Sequence, residues 1–169
     1  MKVLHILYQS LPDISGSSIR SRDILNNQLK IGINPIVITS PFQKPFDEGK
    51  IEEMNNGVKY YRTFSNENEV VKEKLTDFVT QIRKMLRIFN FTFQLIKIAK
   101  KENVSIIHAH AMFYCAIPAK VASIISNKPM IYEIRSLWEE RYKNGSFIVK
   151  CLFEVITFIE TFSMYLSDE

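Results

Sequence analysis

The sequence predicts an α/β chain built on a doubly wound parallel sheet, a single domain over residues 1–169. Three observations lead there. Short apolar, β-branched runs recur along the chain, as in strands buried on both faces. Stretches with helical periodicity separate them, and Pro or Gly stands at most of the junctions. At 169 residues, 46% hydrophobic and 24% charged, the chain has a globular composition, which excludes disordered and collagenous classes. No internal repeat or low-complexity tract supports a solenoid.

The first strand is residues 2–8 (KVLHILY), broken by Pro12 and Gly16. Ser17 or Ser18 can cap the helix that follows, in which Ile19, Ile24, Leu25 and Leu29 make the apolar stripe and Gly32 the stop. Residues 35–40 (PIVITS) form the second strand, stopped by Pro41. A long loop rich in Pro, Gly and charge runs to Asn56, and Gly57 leads into a third strand, residues 58–62 (VKYYR). Residues 67–101 read as one helix or two, broken near Asn90. A fourth strand, residues 105–110 (SIIHAH), precedes a small apolar helix through Ser126 with Pro118 at its start. Residues 130–134 (MIYEI) make the fifth strand, and a last helix spans about 146–166. That last stretch approaches membrane-spanning length, but Lys150, Glu154 and Glu160 lie within it and argue against a span.

The net charge of +4 suits anionic ligands or an anionic membrane surface and does not indicate nucleic acid. Cys115 and Cys151 are isolated thiols, which fits a reducing compartment better than a disulfide framework or a zinc site. Residues 1–8 lack the long apolar region and cleavage site of a signal peptide, so the cytoplasm is the expected location.

Ligands of open α/β sheets bind beyond the carboxyl ends of the strands. After the first strand, Ser15-Gly16-Ser17 stand at a helix N-terminus, where exposed N–H groups and the helix dipole favour a phosphate, and Arg20 and Arg22 add charge. The same residues would also serve a plain turn and cap. Neither a G-x-G-x-x-G nor a P-loop pattern is present, which disfavours dehydrogenases and P-loop NTPases. After the fourth strand, His108 and His110 share one face. His110, at the tip, fits a ligand contact and a core role equally, whereas His108 fits the core. Two histidines could begin a metal site, but no third ligand of suitable spacing follows them, so neither metal nor cofactor is expected. At the fifth strand Glu133 and Arg135 share a face and fit either a structural ion pair or a polar ligand. No catalytic nucleophile or general base can be nominated.

The loop SLPDISGSSIRSRDIL, the segments LKIGINPIVITSP and SIIHAHAMFYCAIPAKVAS, and KPMIYEIRSLWEE together resemble the N-terminal domain of glycosyltransferase family 4, the group-1 nucleotide-sugar transferases of GT-B fold. The likeness runs from Met1 to about Glu160. Its most specific parts are Ser15 to Ser21, matching Ser-Gly-x-Ser-x-Arg-Ser, and Glu133 to Glu139, matching Glu-x-Arg-x-x-Trp-Glu. The resemblance implies the Rossmann-like N-terminal half of a GT-B enzyme. Such an enzyme carries out retaining transfer of a sugar from a nucleotide-diphosphate donor to a glycan or lipid-linked acceptor. It places Ser15, Gly16 and Ser17 at the donor diphosphate, and Arg20, His110, Glu133 and Arg135 along the acceptor cleft. The C-terminal donor-binding half has no counterpart among these residues, nor does the family's next strand, of Ala-Asp-x-Val type. The chain reads as part of a longer transferase, inactive by itself. A noncatalytic Rossmann-like ligand- or protein-binding module is the alternative.

The resemblance also makes peripheral attachment to the inner face of the cell membrane plausible, through residues 82–101. There Ile82, Met85, Leu86, Phe89, Phe93 and Ile96 are expected to pack on the sheet. Ile88, Phe91, Leu95 and Ile98 then form a second apolar group beside the cations Arg83, Arg87, Lys97 and Lys101, facing either lipid or a neighbouring helix.

Overall fold

The computed structural model describes residues 1–43, 52–63, 78–110 and 113–135, with Thr161 and Tyr165 beyond them. Their elements are β1 (Lys2–Leu7), α1 (Gly16–Lys30), β2 (Asn34–Thr39), β3 (Glu52–Asn55), β4 (Val58–Tyr61), α2 (Phe78–Lys101), β5 (Ile106–His110), α3 (Phe113–Ser126) and β6 (Met130–Glu133). The sheet runs β3-β4-β2-β1-β5-β6, and only the β3–β4 pair is antiparallel. This is the doubly wound α/β sheet that the sequence predicts.

Alternation along the strands divides the core in two. Leu4, Ile6, Ile36, Ile38, Ile107 and Ala109 pack with Phe91 and Leu95 of α2 and Ala116 and Ala119 of α3. On the opposite face Leu7, Val37, Val58 and Tyr60 pack with Leu25 of α1. Burial of each large apolar side chain contributes about 1.5–3 kcal/mol, so the sheet is held from both sides.

α1 is capped by Ser15 rather than by Ser17 or Ser18. The Ser15 hydroxyl accepts the Ser18 N–H at 3.1 Å while the Ser18 hydroxyl accepts the Ser15 N–H at 2.8 Å, a reciprocal cap. Gly32, at φ +79°, ends the helix as expected: its N–H donates to the Leu29 carbonyl, and that of Ile33 to the Gln28 carbonyl. Ile19 is exposed, so it does not belong to the packed stripe.

Two further expectations need correction. Part of the predicted long loop is strand β3, joined to β4 by the two-residue turn Asn56-Gly57, whose φ angles of 47° and 82° suit a primed hairpin turn. α2 runs unbroken through Asn90, which is exposed and carries only a small propensity cost there. Its faces are also reversed. Phe91, Leu95 and Ile98 are buried, whereas Ile82, Met85, Leu86, Phe89 and Phe93 are exposed; Ile96 is half-buried against the core. Periodicity favours the wrong one of two apolar stripes, because the contacts that decide lie at the end of α2. Glu102, just after it, meets Lys59 Nζ at 2.8 Å, Lys2 Nζ at 3.3 Å and the Tyr61 hydroxyl at 2.5 Å, which sets the helix's rotation against β1 and β4. The last helix, apart from helical Thr161 and Tyr165, lies outside the described residues, as do residues 67–77, 136–139 and Cys151.

Candidate functional site

The chain leaves β1 for β2 on one side of the sheet and later returns to β5 on the other, so the strand order reverses at the β1–β5 boundary. Crevices at such switch points receive ligands in open α/β sheets. Here the register sets His5 opposite His108 and His110 opposite Glu133. His5 shares the α1 face with Leu7, and His108 and His110 share it because Ile107 and Ala109 point the other way.

A continuous polar network results. His5 Nε2 lies 2.8 Å from Gln28 Oε1 on α1, and His5 Nδ1 lies 2.7 Å from His110 Nε2. His110 Nδ1 is 2.6 Å from both Glu133 Oε2 and Arg135 Nη2. Arg135 Nη1 donates to the Ser17 carbonyl at 2.9 Å, the Ser17 hydroxyl at 3.1 Å and the Ser21 hydroxyl at 2.7 Å, tying the strand end to the first turns of α1. Arg20 Nη2 closes the ring at 2.8 Å from Glu133 Oε1. Gly16 sits at the open end, where an added Cβ would meet nothing within 4 Å.

Burial sets the charge states. It is the first cause holding His5, His108 and His110 below the ordinary histidine value, His108 at about 3; the charge of Arg135 adds to it, and Glu133 opposes it at His108 and His110. The His110 hydrogen bond, joined by the charge of Arg135, lowers Glu133 to about 2. The network therefore holds neutral imidazoles beside an ionised carboxylate and two guanidinium groups. Cys115, fully buried, is pushed up to about 12 and is no nucleophile.

The structure brings Ser17, Arg20, His110, Glu133 and Arg135 into one network and leaves Ser15 as the cap beside it. His110 is buried, with both ring nitrogens against protein groups; Arg20, with 59% of its side chain exposed, is the network's most accessible charge. Sequence reading missed His5, Gln28 and Ser21. A histidine inside the otherwise apolar run KVLHILY was the available signal, since a polar group in a fully buried strand needs a partner. It also missed Arg62. This residue, 1% exposed in its side chain, donates to the Leu11 carbonyl at 2.9 Å and to the Ser10 hydroxyl, and pairs with Glu53 of β3. Gln43 donates to the Ser10 carbonyl at 2.7 Å, so the β1–α1 loop is held from two sides.

The sequence matches no family model and no curated protein. The structure is similar to that of a sucrose-phosphate synthase from Thermosynechococcus elongatus, with TM-score 0.59 and 11% identity over 90% of this chain and 39% of that one. It also aligns with the calicheamicin glycosyltransferase CalG4, with TM-score 0.48 and 10% identity over 98% of this chain and 45% of that one. The chain thus spans less than half the length of either protein, and at these identities the likeness is one of fold.

Proposed function

We propose that this chain supplies the acceptor-side, N-terminal half of a family-4-like glycosyltransferase that moves a sugar from a nucleotide-diphosphate donor to a glycan or lipid-linked acceptor. The supporting observation is the convergence at the switch point: Ser17 at the start of α1 and His110, Glu133 and Arg135 at two strand ends share one network. The resemblance had assigned those same residues to the donor diphosphate and the acceptor cleft. In this reading Gly16 lets a diphosphate approach the helix N-terminus, Arg20 and Arg135 oppose its charge, and Glu133 orients an acceptor hydroxyl. Retention of anomeric configuration is part of the same family reading, and turnover requires the donor-binding half.

Gly16→Val in the full-length gene product tests this reading. An added Cβ meets no neighbour, so the melting temperature should hold while sugar transfer falls by tenfold or more. Unchanged kinetics would count against a diphosphate at this loop.

The reading extends to an anionic membrane surface, with the roles of the α2 stripes exchanged. Ile82, Leu86, Phe89 and Phe93 form the exposed ridge, the Phe89 and Phe93 rings meeting edge to face at 4.9 Å between centroids. At 100° per residue, Arg83, Arg87, Lys97 and Lys101 fall on the strip beside it. An apolar ridge flanked by cations suits interfacial binding, and no helix among the described residues is long and apolar enough to cross a membrane. Sedimentation with phosphatidylserine vesicles at low salt is expected and should weaken with salt and with Arg83→Glu plus Lys97→Glu. Binding unchanged by those reversals would remove this part of the reading.

A further inference from the structure

Two histidines alternating on a strand offer two metal ligands on one face, and a chelate needs more. The missing partner lies upstream in the sequence, on a different strand. Parallel pairing of β1 with β5 brings in His5 directly beside His108, and the three rings each offer a nitrogen such that all lie within 4.8 Å of one another. We propose that His5, His108 and His110 form a binding site for a divalent transition-metal ion of the Zn²⁺ class, with Glu133 beside it.

The hydrogen-bond partners support this. Gln28 Oε1 can only accept, so His5 Nε2 carries the ring hydrogen and leaves Nδ1 as an inward-facing lone pair. Glu133 Oε2, 2.6 Å from His110 Nδ1, can accept a hydrogen from that nitrogen and so let Nε2 face inward as a ligand. Metal-binding imidazoles are commonly held in this way, with the outer N–H on a carbonyl or a carboxylate. The two inward nitrogens are 2.7 Å apart, close enough for both to turn to one ion. In the metal-free chain the contact is a neutral hydrogen bond, one ring donating and the other accepting. A metal ion would replace that hydrogen bond, with the His110 hydrogen carried on Nδ1 beside Glu133, and would widen the contact to about 3.3 Å, the separation set by tetrahedral Zn–N bonds of roughly 2.0–2.1 Å.

His108 supplies the independent observation. Its Nε2 is buried with no hydrogen-bond partner, and it lies 3.7 Å from Glu133 Oε2. A third nitrogen and a carboxylate oxygen therefore face the same place. Imidazole nitrogen suits Zn²⁺, Co²⁺ or Ni²⁺ and not Mg²⁺ or Ca²⁺. Arg135 opposes the site, because its Nη2 also reaches His110 Nδ1, although Glu133 offsets that charge.

The test uses the tag-free chain, stripped with a chelator and titrated with ZnCl₂ by calorimetry and with CoCl₂ by visible absorption. One ion per chain, with the intense Co²⁺ absorption of a tetrahedral site, is expected, and Zn²⁺ should raise the melting temperature. His108→Ala removes a ring whose Nε2 makes no hydrogen bond, and it should weaken binding at least tenfold; His108→Gln is the second variant if the alanine form does not fold. Gln28→Ala should weaken binding by about 10–100-fold. Arg135→Gln should tighten it. Failure of the folded wild-type chain to bind one Zn²⁺, or binding that both His108 variants leave unchanged, would overturn the proposal. Neither result depends on the transferase reading, which is measured by sugar transfer.

Discussion

Phe91→Ala is expected to destabilise the chain by about 3–5 kcal/mol, whereas Phe93→Ala should fall within about 0.5 kcal/mol of the parent. The two phenylalanines are two residues apart on α2 and differ only in their direction. Phe91 is 1% exposed and packs in the larger core with Leu95 and Ile98, so truncation removes both burial and neighbour contacts and leaves a cavity. Phe93 is 58% exposed and touches mainly the Phe89 ring. Urea denaturation of both variants measures the difference through the midpoint at constant slope. Equal effects, or a larger loss at Phe93, would restore the orientation that periodicity alone had suggested.

Acidification from pH 6.5 to 4.5 is the second large effect, expected to cost about 2 kcal/mol through His108 alone. The unfolded imidazole takes up a proton near pH 6.5, while the folded ring, lowered chiefly by burial and then by the charge of His110, stays neutral down to about 3. The unfolded state therefore binds more protons throughout that window. Stability is fully present above 6.5 and falls as the pH drops towards 3. His5 and His110 are lowered in the same direction and steepen the loss. Glu102 and Glu133, each held at about 2, act in a lower window: their contribution is present above about 4.5 and disappears as the pH falls through 2. Urea midpoints measured across this range should show the first decline at histidine pH, and His108→Gln should flatten it. A profile level down to pH 4.5 would mean that the rings are solvated.

The five parallel strands were legible because strands covered on both faces must be apolar throughout, as in LHIL, PIVIT and IIHAH. The hairpin edge was equally legible and went unread: Asn56-Gly57 is the strongest short turn signal in the chain, but the polar strand before it, EEMN, has an exposed edge and no apolar pattern. α2 was legible as a helix and ambiguous as to face, because its rotation depends on the ion-pair contacts of Glu102 with Lys2 and Lys59, distant in sequence. At the site, residues following strand ends could be nominated from topology alone. His5 stood out only as a polar group in a buried strand that needs a partner; which partner depends on the strand pairing and register, and no local pattern encodes that.

The Arg62 clamp bears on the thermodynamics of recognition. A loop that orders only around its ligand charges that ordering against affinity, about 1–2 kcal/mol for each residue whose backbone must settle. Residues 10 and 11 are already tethered through a guanidinium rooted at the end of β4, and β3 anchors that guanidinium in turn through Glu53. The outer hairpin thus acts as a brace for the β1–α1 loop, the loop that the proposed function assigns to the donor diphosphate. On that reading, loosening the brace should weaken diphosphate binding as lost entropy of preorganisation, with Ser17 and Arg20 still in place.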